Sequence, residues 1–215
     1  ARNFKDILKD VLFCFKSLSV DEKFIGLTIF ENALSKDAIN TKQVEEISED
    51  FFPQFWNNRV LDGNEKLQKH VASITTEIAV RSSFLNVVRF IFNNFKQQRP
   101  DYRKLVIETF QKLLKVCDTS TLLERTVFEI NDDLVFALED IKDDNRKEKL
   151  YIETLRSFVQ SIGSRVIPLL DQISSMVNDK LNVPNHYIRK MSAAMLSIYV
   201  DAFAEAGKKN VLKHF

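Results

Sequence analysis

An all-α fold of stacked helical hairpins is what the sequence predicts, and three observations carry it. Four glycines and four prolines in 215 residues are too few for the turns of a strand-rich chain. Apolar residues recur at helical rather than alternating spacing. Short polar stretches, VDEKF, GNEKL, PDYRKL, DNRKEKL and PNHYIRKM, each lead into an apolar helix, and their expected capping residues Asp21, Asn64, Asp101, Asn145 and Asn185 stand 43, 37, 44 and 40 residues apart. That is the period of HEAT-type hairpins, so the expected architecture is an all-α HEAT-repeat superhelix (solenoid) of about five repeats, a fragment of a longer array.

The first hairpin is expected over roughly residues 2–34 and the second over roughly 43–80. In the second, EEISEDFFPQFWNNRV places Ile47, Phe51, Phe52, Phe55, Trp56 and Val60 on one helical stripe. Proline is tolerated in a helix near its start or at a kink, so Ser48 or Asp50 is expected to cap a helix with Pro53 in its first turn. Such a stripe reads as core between repeats ahead of a ligand pocket, with Trp56 largely buried. The third hairpin, roughly 82–117, begins with SSFLNVVRFIFNNF, whose apolar residues 84, 85, 87, 88, 91, 92 and 95 share a face that only Phe90 leaves; a QRPD link and Asp101 then open its second helix. The fourth and fifth follow at roughly 120–162 and 165–206, and KKNVLKHF, 208–215, would begin a sixth.

Composition excludes several classes. With 31 basic and 30 acidic residues the net charge of +1 gives no bulk attraction to nucleic acid or membrane, so any RNA contact must be local. No apolar run approaches the ~20 residues of a membrane span, and ARNFKDILKD lacks the charged and apolar segments of a signal peptide, so the chain is expected to be neither inserted nor secreted. Cys14 and Cys117 have no CxxC spacing and are expected as buried free thiols of an intracellular protein.

Catalytic chemistry finds no motif. Gly26, Gly63, Gly163 and Gly207 are too dispersed for a phosphate loop, and no GKS or GKT occurs. His70, His186 and His214 stand alone, without metal-ligand spacing, and are expected at the surface. Carboxylates pair at Asp132, Asp133 and at Asp143, Asp144, but acid–base work needs two contrasting environments, and the second pair, in the polar link IKDDNRKEK, suits capping and solvation better. No GxSxG elbow occurs. The expectation is a protein that is not an enzyme, with no cofactor and no metal.

Cations gather at the starts of second helices: Lys23, Lys66, Arg103, Lys104, Arg146, Lys147, Lys149, Arg189 and Lys190. The helix dipole opposes a cation there by about 0.3 to 1 kcal/mol, so something must offset it. Either carboxylates of the neighbouring repeat form a ladder, or the row from Lys66 to Lys190 faces an RNA backbone or an acidic partner. No aromatic RNA-reading motif accompanies the row.

Four stretches in order, FFPQFWNNRV at 51–60, DYRKLVIETFQKLL at 101–114, IGSRVIPLL at 162–170 with the LN of 181 and 182, and YIRKMSAAMLS at 187–197, resemble the middle HEAT repeats of the splicing factor 3b subunit 1 family. SVDEKFIGLTIFENAL fits the preceding repeat, whereas Ser120 to Lys149 diverges, as in a distant fungal or protist homologue. The resemblance implies a nuclear, non-catalytic scaffold of the U2 small nuclear ribonucleoprotein, whose superhelix clamps the duplex of U2 RNA and intron branch site. It also implies a β-propeller subunit and a small zinc-binding subunit as neighbours, and a DEAD-box ATPase as a docking partner. The family's adenosine pocket belongs to later repeats than these. Gly163 and Pro168 would be the flexible joint through which curvature changes. The rival expectation is a generic HEAT adaptor, of the nuclear transport receptor or phosphatase scaffold type.

Overall fold

The computed structural model describes residues 4–57, 63–141 and 145–206. Among them are ten α-helices and no strand: α1 (Phe4–Lys16), α2 (Val20–Ser35), α3 (Thr41–Phe55), α4 (Glu65–Arg81), α5 (Phe84–Ile91), α6 (Pro100–Val116), α7 (Glu124–Glu139), α8 (Asn145–Ile162), α9 (Leu170–Leu181) and α10 (His186–Glu205). Consecutive helices pack on each other as hairpins over 4–35, 41–81, 84–116, 124–162 and 170–205, an all-α, HEAT-like array. The chain divides into two compact units, residues 1–117 and 118–215. Val60, Asp143, Asp144, Gly207, His214 and the segment 208–215 lie outside the described residues.

In the first unit, local chemistry sets the helix starts. The Ser19 side chain caps α2 by accepting from the Glu22 N–H, so Asp21 occupies the first turn instead of the cap. There its charge still meets the positive end of the helix dipole. Asn40 and Gln43 close a reciprocal capping box that begins α3 well before Ser48. Pro53 consequently lies in the last turn of α3 rather than the first, where its missing N–H leaves the carbonyl four residues earlier without its helical partner, and the helix ends two residues later. Asn64 caps α4 as expected, accepting from the Leu67 N–H at 2.9 Å, and Ser83 caps α5. Arg99 precedes Pro100 at the first position of α6, where proline is pre-organised, which displaces Asp101 from the cap into the first turn. The stripe from Phe84 is broken after α5 by Asn94, at φ 54°, before a short 3₁₀ turn at Phe95–Gln97.

The core of this unit is phenylalanine-rich. Phe15 meets Phe30, Phe51 and Phe55 at centroid distances of 6.1, 6.0 and 4.8 Å, and all four rings are fully buried. Each such burial stabilises by roughly 1.5–3 kcal/mol. Gly26 lets α2 lie close to α1, since a Cβ there would stand 2.6 Å from Cys14 Cβ. The thiols of Cys14 and Cys117 are free but half-buried rather than buried, because each sits at the margin of its packed face; burial raises both pKa values.

In the second unit, α8 runs into a 3₁₀ segment, Gly163–Leu169, that leads directly into α9. Gly163 takes φ 55°, a conformation that favours glycine, and Pro168 lies within the 3₁₀ segment. Asn185 caps α10 by accepting from the Tyr187 and Ile188 N–H groups. Leu134, Leu138, Leu155, Phe158, Met195, Ile198 and Phe203 are buried around one polar pair, in which the Tyr199 hydroxyl donates to Asn131 Oδ1 at 2.6 Å.

Candidate partner interface

The helix starts place the predicted cations in different surroundings. In the first unit Arg103 is 7% exposed and donates to the carbonyl oxygens of Lys96 and Gln98, tying α6 to the loop before it. Lys104, half-buried, stands 3.6 Å from Glu108 one turn on. Lys66 is exposed, with its ammonium 5.7 Å from the centre of the Phe24 ring. Lys23 turns inward, donating to the Phe15 carbonyl at 2.6 Å and lying over the Phe55 ring, and burial lowers its pKa.

In the second unit Arg189 donates to the carbonyls of Val183 and Pro184, at 2.7 and 2.6 Å, much as Arg103 does in the first. Lys190 reaches Glu148 at 2.7 Å, from α10 to α8. Lys149 stands 3.9 Å from Glu153, Arg146 is exposed and Lys147 is half-buried. The described cations thus include two arginines folded onto their own loops and several lysines whose ammonium groups remain near solvent.

Within each unit, polar ties also join parts of the chain that stand about one period apart. In the first unit His70 Nε2 meets Glu31 Oε2 at 2.8 Å, Arg81 pairs with Asp37, and the Tyr102 hydroxyl donates to the Trp56 carbonyl at 3.2 Å. In the second, Lys180 pairs with Glu139, Thr119 donates to the Ser161 carbonyl, and Arg165 donates to the carbonyls of Thr119 and Leu122. These partners are 39 to 46 positions apart in sequence. An inter-repeat ladder is one of the two readings of the sequence, but these particular partners are not foreseen by it; the signal that could have found them is their near-constant offset. His70 is accordingly part-buried between Glu31 and the Phe24 ring, not at the open surface, whereas His186 is exposed.

Trp56 is buried at 5% exposure; its indole N–H donates to Thr75 Oγ1 at 2.8 Å, and its ring meets Tyr102 edge-on. The crowding of aromatics at 51–56 therefore serves two sides of α3: Phe51 and Phe55 enter the phenylalanine cluster, while Trp56 joins α4 and α6. Among the described residues no group of three or more histidine, cysteine or carboxylate side chains could hold a metal ion, and no helix is long and apolar enough to cross a membrane. The geometry offers exposed cationic side chains and helix-to-helix ties.

Along 208 residues the chain is 25% identical to the U2 snRNP component prp10 of Schizosaccharomyces pombe, covering 96% of this chain and 17% of that protein. The similarity is distant but nearly end to end. The chain thus spans about a sixth of the relative's length. The crystal structure of an engineered protein overlaps it with a TM-score of 0.45 at 13% identity, over 97% of this chain and 87% of that one. No protein-family profile matches the chain.

Proposed function

We propose that the chain is a non-catalytic scaffold segment of the splicing factor 3b complex of the U2 snRNP, supporting branch-site recognition and early spliceosome assembly in the nucleus. The observation that carries this reading is the similarity to a U2 snRNP component along 96% of the chain. The HEAT-like hairpins support it, because repeat arrays work by presenting long surfaces and by summing small rotations. In this reading the chain meets the complex's β-propeller and small zinc-binding subunits and a DEAD-box ATPase, while U2 RNA and the branch-site strand contact the superhelix as a whole. Lys66, Lys104, Arg146, Lys147, Lys149 and Lys190 face RNA phosphates or acidic partner surfaces; Arg103 and Arg189 shape the loops beside them. The 3₁₀ joint at Gly163 and Pro168 is the place where curvature changes.

Depletion of the parent protein from a splicing extract tests the proposal. The expected result is loss of the first splicing step, restored by adding the protein back. Unchanged splicing after depletion would overturn it. One observation favours a generic HEAT adaptor as the second reading: several of these cations already have carboxylate partners, as in Lys104–Glu108 and Lys190–Glu148. That reading would be preferred if the chain bound protein and no RNA.

A further inference from the structure

A groove of about 460 Å³ opens on the first unit between α3, the end of α4 and one face of α5. Its floor is apolar, formed where the Phe52 ring meets the half-buried Phe90 ring at a centroid distance of 4.8 Å, beside Pro53. Glu45 and Glu49, one turn apart on α3 and both exposed, line the same groove, and neither has an ion-pair partner among the described residues. The nearest cation of α5, Arg89, is outside the lining. The volume falls within the range of ligand pockets, roughly 300–1,000 Å³.

We propose that this groove docks a linear segment of a partner protein in which basic side chains flank an aliphatic or aromatic anchor. The anchor covers the half-buried Phe90 ring beside the edge of the buried Phe52 ring, removing apolar surface from water. Carboxylates one helical turn apart, about 5–6 Å between Cβ atoms, suit lysine or arginine side chains beside that anchor. The same two charges repel phosphate, which disfavours an RNA backbone at this place.

The test is a fluorescence-anisotropy titration of the full chain at about 0.15 M salt with three labelled peptides of about 14 residues, roughly four helical turns. The first alternates leucine and lysine in amphipathic helical order, the second has glutamate for lysine, and the third has glycine for leucine. Asn86→Trp fills the groove from α5; only the backbone N–H of Asn86 serves the Ser83 cap, so the start of the helix is retained. The expected result is binding of the leucine–lysine peptide, with the other two at least about tenfold weaker. Asn86→Trp and the Glu45→Lys, Glu49→Lys pair should each lower affinity by about tenfold, and Asn86→Gln should not. Equal binding of the glycine–lysine peptide, or no loss in folded variants, would overturn the proposal. So would self-association of the chain that the charge-reversed pair abolishes, which would assign the groove to a second copy.

Discussion

Of the 18 phenylalanines, thirteen lie at or before Cys117 and five after it, and the first unit leans correspondingly more on ring packing, although it too holds a buried polar pair in Trp56 and Thr75. In the first, rings from α1, α2 and α3 meet edge to face, a geometry that adds about 0.5–1.5 kcal/mol per pair to burial. In the second, Asn131 and Tyr199 hold α7 against α10 through a buried hydrogen bond, with methionines Met191 and Met195 buried in the same core. Rings fill space without demanding one partner. A buried amide and hydroxyl tolerate only the register in which both are satisfied. One hairpin period can therefore be stabilised by bulk packing in one place and by a polar lock in another.

The largest expected effect breaks the ring cluster. Phe55→Ala should lower the stability of the chain by about 3–5 kcal/mol in urea denaturation, through lost burial and the cavity left beside Phe15 and Phe51. A loss below about 1 kcal/mol would show that the rings are not the principal support of the first unit.

Next comes the polar lock. Asn131→Leu strands the Tyr199 hydroxyl in the core and should cost about 1–3 kcal/mol, most of which the added Tyr199→Phe should recover. Additive losses in the double variant would mean that packing, and not the hydrogen bond, sets this core.

Each unit also carries one buried tyrosine with a raised pKa. Burial pushes Tyr102 up from 10 to about 12, and raises Tyr199 further. The folded state therefore holds both protons more tightly than the unfolded chain does. Their contribution is fully present below pH 10 and is lost as pH rises, for Tyr102 over pH 10 to about 12, by an amount on the order of 2 kcal/mol. Stability measured against pH should fall less steeply in that window for Tyr102→Phe. An unchanged slope would place the alkaline loss elsewhere.

The smallest effect concerns the surface ties. Lys190→Ala removes the pair with Glu148 and should cost no more than about 1 kcal/mol, because the lysine side chain is 57% exposed. A larger loss would make that tie a structural element equal to the Asn131–Tyr199 lock.

The hairpin period was legible because capping chemistry is local: Asn64 and Asn185 mark helix starts that the structure confirms. Asp21 and Asp101 misled because Ser19 and Pro100 compete for the same turn a residue or two earlier. Pro53 misled because the Asn40–Gln43 box, thirteen residues upstream of it, decides where α3 begins. Charge was visible in the sequence, but reach was not. Whether Arg103 points to solvent or folds onto the Gln98 carbonyl depends on the loop that α6 leaves, and no spacing rule encodes it. The Phe52–Phe90 groove was hidden for the same reason: its walls come from helices whose mutual placement is tertiary.

Affinity capture of the tagged parent protein from nuclear extract, at about physiological salt where screening acts over roughly 8 Å, tests the central functional claim most directly. The expected result is recovery of U2 RNA together with a β-propeller protein. Recovery of transport cargo, a small GTPase or phosphatase subunits without U2 RNA would contradict it and leave a HEAT-like adaptor in its place.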